Sequence, residues 1–164
     1  MMFREMKRKK QLLSKEETEA ILSRGKTGVL GICGSNDYPY TVPLNYAYRN
    51  SKVYFHCAEE GQKIDGIREN NRVSFTVIDK DEIAEELFTT LYRSVIAFGK
   101  ARIVTDENEK RNALQWLIEK YTPNHIREGQ EKIENELHRT GIVEIEIEHM
   151  TGKAGKDELN NFGK

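Results

Sequence analysis

The chain has 164 residues, a net charge of −1, and 37% hydrophobic against 32% charged residues. That length fits one domain with its own core, and the near-zero net charge excludes a global field favouring nucleic acid or an anionic membrane. The apolar residues fall into periodic segments, which excludes a disordered chain.

No apolar run approaches membrane-spanning length, and the charged N-terminus lacks the apolar stretch of a signal peptide, so a cytoplasmic location is expected. Arg4, Lys7, Arg8, Lys9 and Lys10 form the one basic cluster, read as a solvated, partly mobile arm over residues 1–13. Neither a membrane nor nucleic acid is expected as a partner. Cys33 and Cys57, both in strand-like apolar surroundings, read as buried free thiols. His56, His125, His138 and His149 are scattered and no C-x-x-C or H-E-x-x-H pattern occurs, so no metal site is expected.

In chain order, Ser14-Lys15-Glu16-Glu17 predicts a capped helix start, with the helix ending near Gly25 in a left-handed cap. Thr27 to Cys33 predicts a strand, residues 34–37 a turn, and Tyr38 to Tyr48 a second strand. Pro43 cannot donate to a ladder, so that strand is expected at an edge, a bulge or a ligand. Arg49-Asn50-Ser51 predicts a hairpin turn into Lys52 to Ala58, where Val53, Phe55 and Cys57 alternate with Tyr54 and His56. A short helix over residues 61–70 puts Ile64 and Ile67 on one face, and Arg72 to Ile78 is another strand. Asp79 to Thr90 reads equally as a loop or a weak helix. Tyr92 to Val104 is a long strand with a bulge expected at Gly99. Asp106 opens an amphipathic helix carrying Leu114, Leu117, Ile118 and Tyr121, and a second helix spans residues 126–139. The closing GIVEIEIEHM predicts a strand with one wet face. The segment from Gly152 to Lys156 lacks phosphate-loop spacing and reads as the start of a flexible tail, residues 154–164. About six antiparallel strands with interspersed helices give a closed or half-closed barrel in one α+β domain over residues 1–153.

Single residues carry little chemistry by themselves. His56 is a histidine on a sheet surface without a triad partner, and Cys57, its neighbour, points the other way. Lys63 opens a helix whose free N–H groups suit a phosphate, although Glu59 and Glu60 oppose an anion unless they turn away. Arg93 and Ser94 offer a guanidinium and a hydroxyl. Val42, Pro43, Leu44 and Asn45 combine apolar side chains, an amide and disturbed pairing, which a flat heteroaromatic ring can use. Trp116 reads as core or dimer-contact packing.

The order of these segments is more specific. YPYTVPLNYAY, VYFHCAEEGQKIDGIRENNRVSF, YRSVIAFGKARIV, a helix with Ala113-Leu114 and Trp116, and a strand ending in MTGK resemble the Nim-type nitroimidazole-resistance proteins of the pyridoxamine 5′-phosphate oxidase-like superfamily. The resemblance covers residues 7–153. It implies a six-stranded antiparallel Greek-key split β-barrel of the FMN-binding type with flanking helices, a homodimer, and flavin at the subunit interface. It places Val42, Pro43, Leu44 and Asn45 beside the isoalloxazine and His56, Cys57 and Ala58 along the flavin. His56 falls near its reactive edge as the catalytic residue, Lys63 at the FMN phosphate, and Arg93 or Ser94 in the same pocket. FMN is the implied cofactor, with FAD or another flavin-like ligand as the alternative. The implied activity passes electrons from a reduced donor through flavin to a small nitro or aromatic acceptor; the alternative is a non-catalytic, redox-responsive flavin-binding protein.

Overall fold

The structure, a computed structural model, describes residues 3–34, 38–156 and 158. Its elements are α1 (Lys15–Arg24), β1 (Gly28–Cys33), β2 (Pro39–Leu44), β3 (Ala47–Arg49), β4 (Lys52–Cys57), α2 (Gln62–Glu69), β5 (Arg72–Ala84), β6 (Thr89–Ile103), α3 (Glu107–Tyr121), α4 (Ile126–Glu136) and β7 (Gly141–Ala154). The strands form one antiparallel sheet in the order β2-β1-β5-β6-β7-β4-β3.

This is an α+β fold with seven strands in an open sheet, where the sequence predicts six strands in a closed or half-closed barrel. The difference arises at Tyr46. Its backbone N–H donates to Tyr121 Oη at 2.9 Å and its carbonyl accepts from the same hydroxyl at 2.9 Å, so both groups leave the ladder. Its ring is fully buried, with the hydroxyl donating to the Leu22 carbonyl at 2.7 Å. The single strand expected over residues 38–48 is therefore cut into β2 and β3, which occupy opposite edges of the sheet. Three peptide steps reach at most about 11 Å, so the two edges come together at this end and the sheet must curl into an almost closed barrel.

The barrel core collects the alternate residues of each strand, among them Leu30, Val53, Phe55, Phe75, Val77, Val95 and Ile145, with Ile21 and Leu22 from α1. The period-two pattern puts these on one face because successive strand side chains point oppositely. A smaller core lies on the other face of β4 and β7, where α3 packs Ala113, Leu114 and Trp116 against Tyr54 and Ile142. That helix explains why the start of β7 is buried on both faces, Glu144 included, instead of having one wet face.

Local chemistry follows the sequence at several points. Ser14 and Glu17 form a reciprocal capping box, Asn50 and Ser51 both have positive φ at the hairpin turn, and the ladder slips at Phe98/Gly99. Gly25 ends α1 at φ −59°, not in the expected left-handed conformation; glycine is required because a Cβ there would lie 2.6 Å from Tyr46 Oη. The ambiguous segment from Asp79 resolves as strand, since β5 runs on to Ala84 and β6 starts at Thr89, making a long projecting hairpin. Gly152 to Ala154 completes β7 rather than opening a flexible tail, paired with the start of β6 and bridged at Lys153 to Leu12. The basic side chains of the N-terminal arm are exposed, yet the arm lies on the sheet through Phe3, stacked on His149 at 4.7 Å. Cys33 is exposed and Cys57 only half-buried, because the first faces out at the end of β1. The expected turn at 35–37 lies outside the described residues.

Candidate functional site

His56 projects from β4 with Lys52 and Tyr54, away from the barrel core and toward the α3–α4 pair. There it lines a cavity of about 480 Å³ whose apolar walls are Leu114, Leu117, Ile118 and Ile133. Asn45 enters the same cavity from the end of β2, so the β2–β3 break brings two sequence-predicted site residues together. Partial burial, reinforced by the ammonium groups of Lys63 and Lys132, holds the His56 imidazolium below its ordinary range. The imidazole is therefore neutral at pH 7, with one N–H donor and one acceptor nitrogen.

Lys63 begins α2 just beyond β4. Gly61 precedes the helix at φ +118°, a conformation open to glycine, with no side-chain cap on the first N–H groups. Lys63 Nζ lies 5.7 Å from the Phe55 ring centre and has no ion pair to a carboxylate among the described residues. Glu59, a threat to any anion here, turns instead to Lys110 at 3.5 Å. A helix start, a glycine turn and an unpaired ammonium thus share one exposed corner, a combination suited to an oxyanion. Cys57 lies on the opposite face of β4 from His56, and burial pushes its thiol up. Ala58 is exposed at the strand end.

On β2, Val42 and Leu44 pack on the core, while Thr41, Pro43 and Asn45 face outward. Pro43 sits opposite Val29 on an edge strand, where its missing N–H costs no ladder bond.

Arg93 and Ser94 are elsewhere. They pair with Ala154 and Lys153, whereas His56 pairs with Ile142, which puts roughly 35 Å of β7 between the two groups at the usual strand rise. Arg93 is ion-paired with Asp79 at 3.0 Å and Glu158 at 3.6 Å. Within one chain these two residues do not share a pocket with Lys63. Sequence reasoning missed Lys132, Ile133 and the other α4 residues of the cavity; the amphipathic pattern over residues 126–139 was the available signal.

Taken together, the geometry is an open antiparallel barrel with an apolar cavity beside a cationic corner. The chain belongs to the pyridoxamine 5′-phosphate oxidase family, whose model matches residues 14–154. Among solved structures, a proposed 5-nitroimidazole antibiotic resistance protein from Bacteroides thetaiotaomicron is 25% identical, with a TM-score of 0.73 over 87% of this chain and 86% of that one. A FAD-binding protein from Mesorhizobium loti is also 25% identical, with a TM-score of 0.63 over 89% and 98%. A conserved hypothetical protein from Mycobacterium tuberculosis shares the fold at a TM-score of 0.81 and 20% identity, covering 95% and 93%.

Proposed function

We propose that the protein binds a flavin, FMN in the first instance, and uses it to reduce a small nitro or aromatic acceptor held in the His56 cavity. The observation that carries the reading is the unpaired Lys63 at the glycine-led start of α2, one strand end away from His56. Lys63 and the first N–H groups of α2 hold the phosphate, and Thr41, Pro43 and Asn45 on the free edge of β2 lie beside the ring. A flavin supplies electron transfer between a reduced donor and an acceptor. Neutral His56 orients that acceptor by donating its one N–H.

A second copy of the chain completes the site in this proposal. The outer face of β5 and β6 carries Ile78, Ile96 and Phe98, and the hairpin tip adds Phe88, which is 97% exposed. An apolar surface of this kind suits burial against a like copy. Ser94 lies on that outer face, so a partner subunit is the route by which it reaches a cofactor held at Lys63.

The test is the visible spectrum of the purified protein and identification of the released cofactor. A flavin band that bleaches under an anaerobic donor and returns with a nitroaromatic supports the enzyme. Lys63→Ala weakens FMN by about 1.5–3 kcal/mol, the range for a hydrogen bond to a charged group; unchanged affinity removes Lys63 from the site. A flavin band without turnover across nitroaromatic and quinone acceptors leaves a flavin-binding module and refutes catalysis.

A further inference from the structure

The polar groups lining the His56 cavity are almost all committed within the chain. Tyr121 Oη donates to the Lys26 and Tyr46 carbonyls, Asn45 Nδ2 to Lys26, Thr122 to Ile118 and Thr140 to Glu136. Of the two carboxylates at its rim, Glu136 accepts from Arg139 at 3.0 Å, while the exposed Glu128 sits 3.7 Å from His125, an ion pair only when that imidazole is protonated. Two nitrogen bases remain. His56 has no hydrogen-bond partner among the described residues, and Lys132, one turn of α4 from Glu136, has no ion pair. Both side chains line this one cavity, His56 from β4 and Lys132 from α4. Lys132 thus puts an ammonium on the same rim as the unused imidazole N–H, while Leu114, Leu117, Ile118 and Ile133 provide an apolar interior.

We propose that this cavity selects amphipathic monoanions, a carboxylate on an apolar or aromatic body, and that Lys132 is the residue that sets the selectivity. The apolar body fills the space under α3 and α4, where its burial drives binding. The carboxylate meets the Lys132 ammonium and the His56 N–H at the rim, two donors without a hydrogen-bond or ion-pair partner among the described residues. A neutral analogue keeps the apolar contacts and loses the charge pairing; a cationic one meets repulsion from Lys132. That this pocket is the acceptor site rests on the flavin reading. The anion preference rests on the cavity alone.

The experiment is calorimetric titration of the full-length protein, both as purified and stripped of any flavin, with benzoate, benzamide and benzylamine. Benzoate is expected to bind about tenfold more tightly than benzamide, and benzylamine not at all. Lys132 is exposed on α4, so its substitution leaves the fold intact. Lys132→Ala is expected to remove that preference by weakening benzoate alone, and Lys132→Arg to keep it. Equal affinity for benzoate and benzamide, no binding of either, or a benzoate preference that survives Lys132→Ala overturns the proposal. A colourless protein that still prefers benzoate refutes the flavin reading and supports this one; a yellow protein without the preference does the reverse. In the loaded protein, Lys132→Ala is expected to raise KM for 4-nitrobenzoate several-fold more than KM for 4-nitrobenzamide.

Discussion

Replacing Glu144 by Gln tests the electrostatic clamp that holds α3, and with it the cavity wall, on the sheet. The Glu144 side chain is 5% exposed. It accepts from Arg102 Nε and Nη2, both at 2.9 Å, and from Lys52 Nζ at 3.0 Å, so it ties β7 to β6 and β4. Arg102 in turn donates to Glu109 on α3 at 2.7 Å. Glutamine keeps one acceptor oxygen but turns an NH₂ toward a cation. Removing one partner of a buried ion pair costs about 3–5 kcal/mol. Arg102 and Lys52 retain solvent access and regain hydration, which lowers the expected loss to about 2–4 kcal/mol. For a chain of this size that is a fall in Tm of roughly 4–16 °C. Burial pushes the Glu144 carboxyl up, but hydrogen bonds from Arg102, Lys52 and Tyr54 outweigh it and hold the group below its ordinary value of 4.5. The sign is then fixed: the stabilisation is complete above pH 4.5 and is lost as pH falls through the folded-state value. Urea melts of wild type and E144Q should therefore differ by a constant amount from pH 7 to about 5 and converge under acid. Melts that coincide at pH 7, or a gap that ignores acid, would refute the reasoning.

Other expectations follow from the same contacts. The His56 imidazole should titrate below its ordinary range by NMR, and Lys63→Gln or Lys132→Gln should each raise it, because each removes a repelling charge; a downward movement contradicts the cause assigned. Lys120 Nζ is buried over the Tyr46 ring at 4.0 Å, and burial lowers its ammonium to about 8. That shift caps the cost of the charged form near ~3 kcal/mol, of which the ring attraction offsets up to ~2. Wild-type stability should thus rise by about 1–3 kcal/mol between pH 8 and 10.5, a rise missing from Lys120→Met; identical pH profiles would remove Lys120 as its source. Gly61→Ala meets no atom within 4 Å, so its expected cost of about 1 kcal/mol comes from the φ of +118° alone and should appear in melts. Phe88→Ser should shift the protein toward monomer in light scattering at unchanged helix content; an unmoved mass takes the hairpin tip out of the subunit contact.

Much of this molecule is local and therefore legible in the residues. Ser14 and Glu17 specify a capping box through three-residue spacing, Asn50-Ser51 a turn through its tolerance of positive φ, and Gly99 a bulge through its missing Cβ. Period-two alternation assigned Val53, Phe55 and Cys57 to one face and His56 to the other, which is the fact the site depends on. What alternation cannot express is a partner distant in sequence. Tyr46 leaves its strand because Tyr121, 75 residues on, takes both its backbone groups. Glu144 is buried because α3 covers a face that otherwise reads as wet. Arg93 and Lys63 look alike as cations in the sequence, but register along β7 separates them and hands Arg93 to Asp79. The chain's own chemistry decided which segments become strands and which way each side chain points. Tertiary packing alone decided which strand ends meet, and so joined Asn45, His56 and Lys132 around one cavity.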